Sequence, residues 1–254
     1  MSVPVPTFLD SHFPADAPGV AKCFSGDPEK GLVIFVSGVL FFGRAWGRNS
    51  VPEGLRRAGF EGMVVWWPWQ ERYWKFPTVG VLWDGDLQAK HAARIAASIA
   101  SYREAYPDRP CHLVGCSAGG GLVAQVLAAL AEITEDNPGA MLDNVALLGP
   151  ALNPRTDLTG LVEKTVRGTL SNFCSRMDCV VLGVGTSIFG TVDRRFGASA
   201  GMVGMRHEMP GKCENVRFRP WMIRHNRFGG HKSNLNRKFI ANLVAPRLFA
   251  EVEK

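Results

Sequence analysis

The residues Gly115-Cys116-Ser117-Ala118-Gly119 have the form G-x-S-x-G, a spacing that sets a serine on a tight turn between two glycines. The flanks suit that turn. CHLVG before it reads as a buried strand, and GGGLVAQVLAALAEI after it reads as a helix, the strand-turn-helix context in which such a serine is held out above a sheet edge. The glycines at 115 and 119 remove Cβ atoms that would collide with the neighbouring strand and helix. A serine hydroxyl is a poor nucleophile at neutral pH. To attack a carbonyl it needs an imidazole to take its proton and a carboxylate to fix and stabilise that imidazole.

Those groups must be carried by separate elements. Short apolar runs closed by Gly, Pro or Ser predict strands over Leu32 to Ser37, Met63 to Trp67, Cys111 to Val114 and Val145 to Leu148. Helical patterns occupy Asp84 to Tyr106, Gly119 to Ile133 and Ser233 to Leu248, with Asp84 and Ser233 as N-terminal caps. Strands that are apolar throughout and alternate with helices predict a mostly parallel sheet covered on both faces, a three-layer α/β/α sandwich. Two stretches break the alternation. Trp66 to Trp83 holds five of the seven tryptophans, and Gly183 to Gly211, rich in glycine without a strong period, reads as a long functional or covering loop.

With these residues in place the chain resembles the α/β-hydrolase superfamily, from about Leu32 to the C-terminal helix. The resemblance implies the order nucleophile, acid, histidine, with the acid after a late strand and the histidine after the last. Leu170 to Cys174 followed by SRMDCVV resembles the strand that precedes the acid and puts Asp178 in its position. Val216 to Ile223 resembles the last strand, followed by Gly230-His231 and a closing helix. Ser117, Asp178 and His231 are the implied triad. The implied oxyanion donors are the backbone N–H groups of Ala118 and of Val39 or Leu40; this chain has Ser37-Gly38 where family members often have His-Gly. Room for a cap between Pro150 and Phe173 is small. The implied activity is cleavage of a carboxylic ester or thioester through an acyl-serine, by an enzyme that needs no metal or organic cofactor.

Rival residues stand nearby. Asp193 in GTVDRRFG competes with Asp178, although Arg194 and Arg195 beside it suit an exposed ion-pairing role. His225 competes with His231 but follows the end of a strand directly and is flanked by Arg224 and Arg227, which disfavour an imidazolium. Leu40, Trp69 and Trp74 are the candidates for an apolar acyl or alcohol pocket, and a packed core is an equal reading of the tryptophans. Two other readings of the whole remain: a catalytically silent fold used for binding, and an acyltransferase with the same triad.

Composition bounds the rest. With 254 residues, 46% of them hydrophobic and 20% charged, the chain is read as one domain over 1–254. No apolar stretch approaches a membrane span and no signal sequence opens the chain, so a cytoplasmic protein without integral membrane association is expected. The six cysteines lack the spacing of a disulfide scaffold or a metal pair and read as reduced and structural. Net charge is +6, and basic residues crowd Arg206 to Arg247. No nucleic-acid motif accompanies them, and the expected partner is a small-molecule ester or thioester.

Overall fold

The computed structural model describes residues 7–10, 13, 23–39, 47–70 and 79–251. Its seven strands are β1 (Phe24–Ser25), β2 (Asp27–Val36), β3 (Gly62–Trp67), β4 (Cys111–Cys116), β5 (Val145–Leu148), β6 (Leu170–Cys174) and β7 (Cys213–Arg217). They form one sheet in the order β1-β3-β2-β4-β5-β6-β7. Only β1 is antiparallel to its neighbour. The helices include α1 (Thr7–Asp10), α2 (Ser50–Arg57), α3 (Gly85–Ala105), α4 (Ala118–Asp136) and α5 (Thr159–Thr165). Helices cover both sides of the sheet. Helix α4 lies between α3 and α5, while α2 packs with the C-terminal helical segment, the expected α/β/α sandwich.

The sequence explains this directly. Every residue of β3, β4, β5 and β6 is buried, and β2 is buried from Gly31 to Val36, so no polar face is needed. The Asp84 side chain caps α3 by accepting from the Leu87 N–H at 3.1 Å. Helix α4 starts at Ala118 and runs on to Asp136.

The register aligns the ends of the strands. Val36 lies beside Gly115, Cys116 beside Leu148, Leu148 beside Phe173, and Cys174 beside Arg217. Because the strands run parallel, the loops after β2, β4, β5, β6 and β7 all leave from one edge. The chain moves outward from β2 to β3 and returns to lay β4 on the other side of β2. That reversal falls at the carboxyl ends of β2 and β4, where an open parallel sheet ordinarily has the crevice that serves as its site.

Three expectations need correction. The last strand is Cys213–Arg217 rather than Val216 to Ile223, because Pro220 has no N–H for the ladder and begins a 3₁₀ turn, Pro220–His225. The final helix starts at Arg237 rather than Ser233. Its cap is Asn236, whose side chain accepts from the Lys238 N–H, while the Ser233 hydroxyl donates to the Gly230 carbonyl. The Gly183 to Gly211 stretch is not loop throughout: a π turn at Val180–Gly185 runs into Thr186–Phe189, and Ala200–Val203 forms another helical turn. Buried Leu182 and Thr186 anchor the first two.

The sheet's centre should carry the stability. Ile34 is fully buried on β2 between β3 and β4. Ile34→Ala is expected to cost about 2–5 kcal/mol, the range for a truncated core aliphatic, measured as a lower urea midpoint at unchanged slope. A loss below about 1 kcal/mol would mean that the site collapses around the cavity.

Candidate active site

Ser117 follows β4 with φ 54° and ψ −124°, a conformation an L-residue adopts at a cost of about 1–3 kcal/mol. Backbone bonds hold it there. Its N–H donates to the Leu148 carbonyl at 3.1 Å, and its carbonyl accepts from Gly120, Gly121 and Ala151. Ser117 stands at the N-cap of α4, where serine ordinarily bonds an N–H of the first turn, yet it makes no such side-chain bond. The hydroxyl is free of that structural duty.

Two close approaches surround it. A Cβ on Gly119 would run into the carbonyl oxygens of Val36 and Ser37, so the first turn of α4 lies directly on the end of β2. A Cβ on Gly38 would come within 2.6 Å of Ser117 Cβ and 3.1 Å of its Oγ. The loop after β2 therefore touches the serine. As the first helical residue, Ala118 has an N–H with no acceptor within the helix.

Side chains after β3 hold this loop. Trp69, fully buried, donates its indole N–H to the Ser37 carbonyl at 2.8 Å, and buried Gln70 donates its amide to the Gly38 carbonyl at 2.6 Å. In a planar trans peptide the N–H points opposite to the carbonyl. By holding the Gly38 oxygen, Gln70 turns the Val39 N–H the other way. Sequence reasoning missed Gln70, whose role depends on a contact between residues 32 positions apart.

At the other side of the crevice, Asp178 lies past β6 and is only 3% exposed. Its Oδ2 is 2.7 Å from His231 Nδ1, a bond between residues 53 positions apart. A carboxylate only accepts, so Nδ1–H is the donor, and in the neutral ring this leaves the lone pair on Nε2. His231 opens a 3₁₀ turn, His231–Leu235, and its side chain is mostly buried.

Arg227, 1% exposed, was also missed as a part of this neighbourhood. Its guanidinium lies 4.6 Å over the Phe239 ring, and burial lowers its pKa to about 10 while the charge of Asp178 opposes that fall. Burial pushes the Cys116 thiol up to about 12, helped by the Asp178 charge, so the neighbour of Ser117 is a protonated core group.

The rivals are occupied elsewhere. Asp193 accepts from the Asn153 N–H and from the hydroxyls of Thr156 and Thr191; the expected ion pair with Arg194 or Arg195 is not formed. His225 stands edge-on to Trp221 with ring centroids 5.9 Å apart. His112 is buried and neutral, lowered to about 4 by desolvation, and accepts from the Asn144 N–H. Trp66 and Trp67 are core residues of β3, Trp83 is half exposed, and Leu40 and Trp74 lie outside the described residues. A cleft of about 1190 Å³ opens at the opposite sheet edge, lined by residues including Phe60, Arg103, His112, Asp143 and Phe249, away from Ser117. Among the described residues no three His, Cys, Asp or Glu side chains gather as a metal site would require, and no helix is long and apolar enough to cross a membrane.

No protein-family model and no curated protein matches the chain. Solved structures do. Lipase B from Aspergillus fumigatus matches with 12% identity and a TM-score of 0.50, covering 92% of this chain and 57% of its own, so this chain spans little more than half of that lipase. A dienelactone hydrolase from Anabaena variabilis matches with 14% identity and a TM-score of 0.46 over 88% of each chain. Est1E from Butyrivibrio proteoclasticus matches with 13% identity and a TM-score of 0.46 over 87% of this chain and 90% of its own. At such identities the likeness is one of fold. Taken with the seven-stranded, mostly parallel sheet and its helices on both sides, it gives this chain the α/β-hydrolase fold.

Proposed function

We propose that this protein is a serine hydrolase that cleaves a carboxylic ester or thioester. The observation that carries the reading is the 2.7 Å bond from His231 Nδ1 to buried Asp178, on the same sheet edge as a serine with φ 54° and a hydroxyl that makes no cap bond. Ser117 Oγ attacks the carbonyl carbon as His231 Nε2 takes its proton. Asp178 fixes the tautomer and stabilises the imidazolium. The N–H groups of Ala118 and Val39 hold the oxyanion, the first at the positive end of α4 and the second oriented by Gln70. Collapse expels the alcohol or thiol, which takes the proton from His231. Water then repeats the sequence on the acyl-serine and releases the acid.

Ser117→Ala should abolish turnover of p-nitrophenyl esters and labelling by a fluorophosphonate probe, with the melting temperature kept. Cys116→Ala should keep both activities. Labelling that survives in the Ser117 variant would overturn the assignment.

Asp178→Asn is expected to lower kcat by about 10³–10⁴-fold, because the imidazole then loses the partner that sets its tautomer. His231→Ala should remove nearly all turnover, whereas His225→Ala should stay within about tenfold. Asp193→Asn should lower the melting temperature more than kcat. Steady-state kinetics on the four variants checks the ranking, and a dead His225 variant beside an active His231 variant would reverse it.

Gln70→Leu should lower kcat by about 10–100-fold with little change in KM, as expected when an oxyanion donor loses its orientation. A kcat loss that only tracks a lowered melting temperature, and that vanishes where the variant is fully folded, would make Gln70 a packing residue only.

A further inference from the structure

The two helical turns that follow Asp178 are apolar on both faces. Leu182 and Thr186 point inward and are buried, while Val180, Val184 and Ile188, also spaced at four, are 74%, 59% and 60% exposed. The fold needs only the inward face. Phe189 and Phe196 extend the outer one, and the Phe196 ring lies 5.5 Å from that of half-exposed Trp83. Met177, exposed, lies against Gly229, next in sequence to exposed Phe228, and exposed Trp221 and Ile223 stand on the 3₁₀ turn before it. Scattered apolar side chains are ordinary on a surface, but a contiguous group of this kind marks an interaction face.

The charges around it are mostly basic, apart from exposed Asp86 and part-exposed Asp84 at the Trp83 end. In 176–196 and 219–232 the exposed charged side chains are Arg176, Arg194, Arg195, Arg219, Arg224 and Lys232. The two carboxylates in these stretches are turned inward, Asp178 onto His231 and Asp193 onto Asn153, Thr156 and Thr191. A second copy of this chain is a poor occupant, since a symmetric contact would bring two basic rims together. An anionic lipid surface satisfies both features, taking apolar side chains into the acyl boundary and basic ones at the headgroups.

We propose that the apolar, basic-rimmed face formed by 177–189, Phe196 and Trp221–Phe228 seats this protein on an anionic lipid surface. The face is continuous in sequence with Asp178 and His231, so docking brings the Ser117 edge close to the lipid. Binding is independent of the hydrolytic reading and is measured apart from it.

The test is sedimentation of the full chain with vesicles of phosphatidylcholine alone and of phosphatidylcholine with phosphatidylglycerol. The protein should partition onto the mixed vesicles at least about tenfold more strongly, and salt should weaken that binding. Val180→Ser with Ile188→Ser should lower partitioning by about tenfold or more at an unchanged melting temperature, since each removes apolar surface that is exposed in the free protein. Phe196→Ser provides a second substitution should that pair fold poorly. Ser117→Ala should bind vesicles like the parent chain, so a failed catalytic assignment leaves this result readable. Absence of vesicle binding, equal partitioning of the parent chain and the Val180→Ser/Ile188→Ser pair, or a concentration-dependent dimer that this pair dissociates would each overturn the proposal.

Discussion

The first turn of α4 rests on the carbonyls of Val36 and Ser37, and this contact is possible because residue 119 has no side chain. Much of the site geometry follows from it. The contact ties the end of β2 to the end of β4 at the point where the strand order reverses. Beside it, four backbone bonds to Leu148, Gly120, Gly121 and Ala151 hold the backbone of Ser117 in a strained conformation. The contact also brings Gly38 against Ser117, so the loop after β2 becomes part of the serine's surroundings. A larger residue at 119 would have to shift backbone, since the atoms it meets are carbonyls rather than the ends of flexible side chains.

Electrostatics on the far side of the crevice obey a different constraint. Adjacent strands are about 4.8 Å apart, so β4 and β6 are separated by about 10 Å across β5. The loop after β6 turns Asp178 inward, where burial makes an unpaired carboxylate costly. His231 supplies one partner and the nearby guanidinium of Arg227 supplies opposing charge. Arg227 is itself expensive to bury, as its lowered pKa shows, and the Phe239 face and the field of Asp178 compensate part of that cost. The two late segments thus support each other: His231 bonds to Asp178, and Met177 packs on Gly229.

The legible parts of the molecule were those encoded locally. Uniformly apolar strands revealed the covered parallel sheet, and the Gly-flanked serine between a strand and a helix revealed the turn. The order of elements put Asp178 and His231 forward, and the structure bonds them to each other. Boundaries that depend on one residue were misread. Val216 to Ile223 is apolar enough to suggest one strand, but Pro220 ends it; Ser233 is a good cap in isolation, but its hydroxyl closes the turn that carries His231. Gln70 and Arg227 were illegible because their roles depend on partners brought near only by tertiary packing. A glutamine after a tryptophan-rich strand has no local signature of its contact with Gly38.

The segment after Asp178 shows how such a fold separates its obligations. Leu182 is fully buried, and the Thr186 hydroxyl bonds to the carbonyls of Leu182 and Gly197, so the turns are held from the inside. Their outer residues contribute little to that hold, because side chains left in water gain none of the transfer free energy that burial supplies. A fold under no other demand would place polar residues there, where they add solubility. This chain instead places valine, isoleucine and phenylalanine on that face and basic residues at its border. The sheet edge positions the reacting groups through packing that tolerates little change, while the outer face of these turns can vary with almost no effect on that packing. What approaches the crevice is therefore set by a surface that the fold does not need, and its composition reflects the approaching partner rather than the requirements of folding.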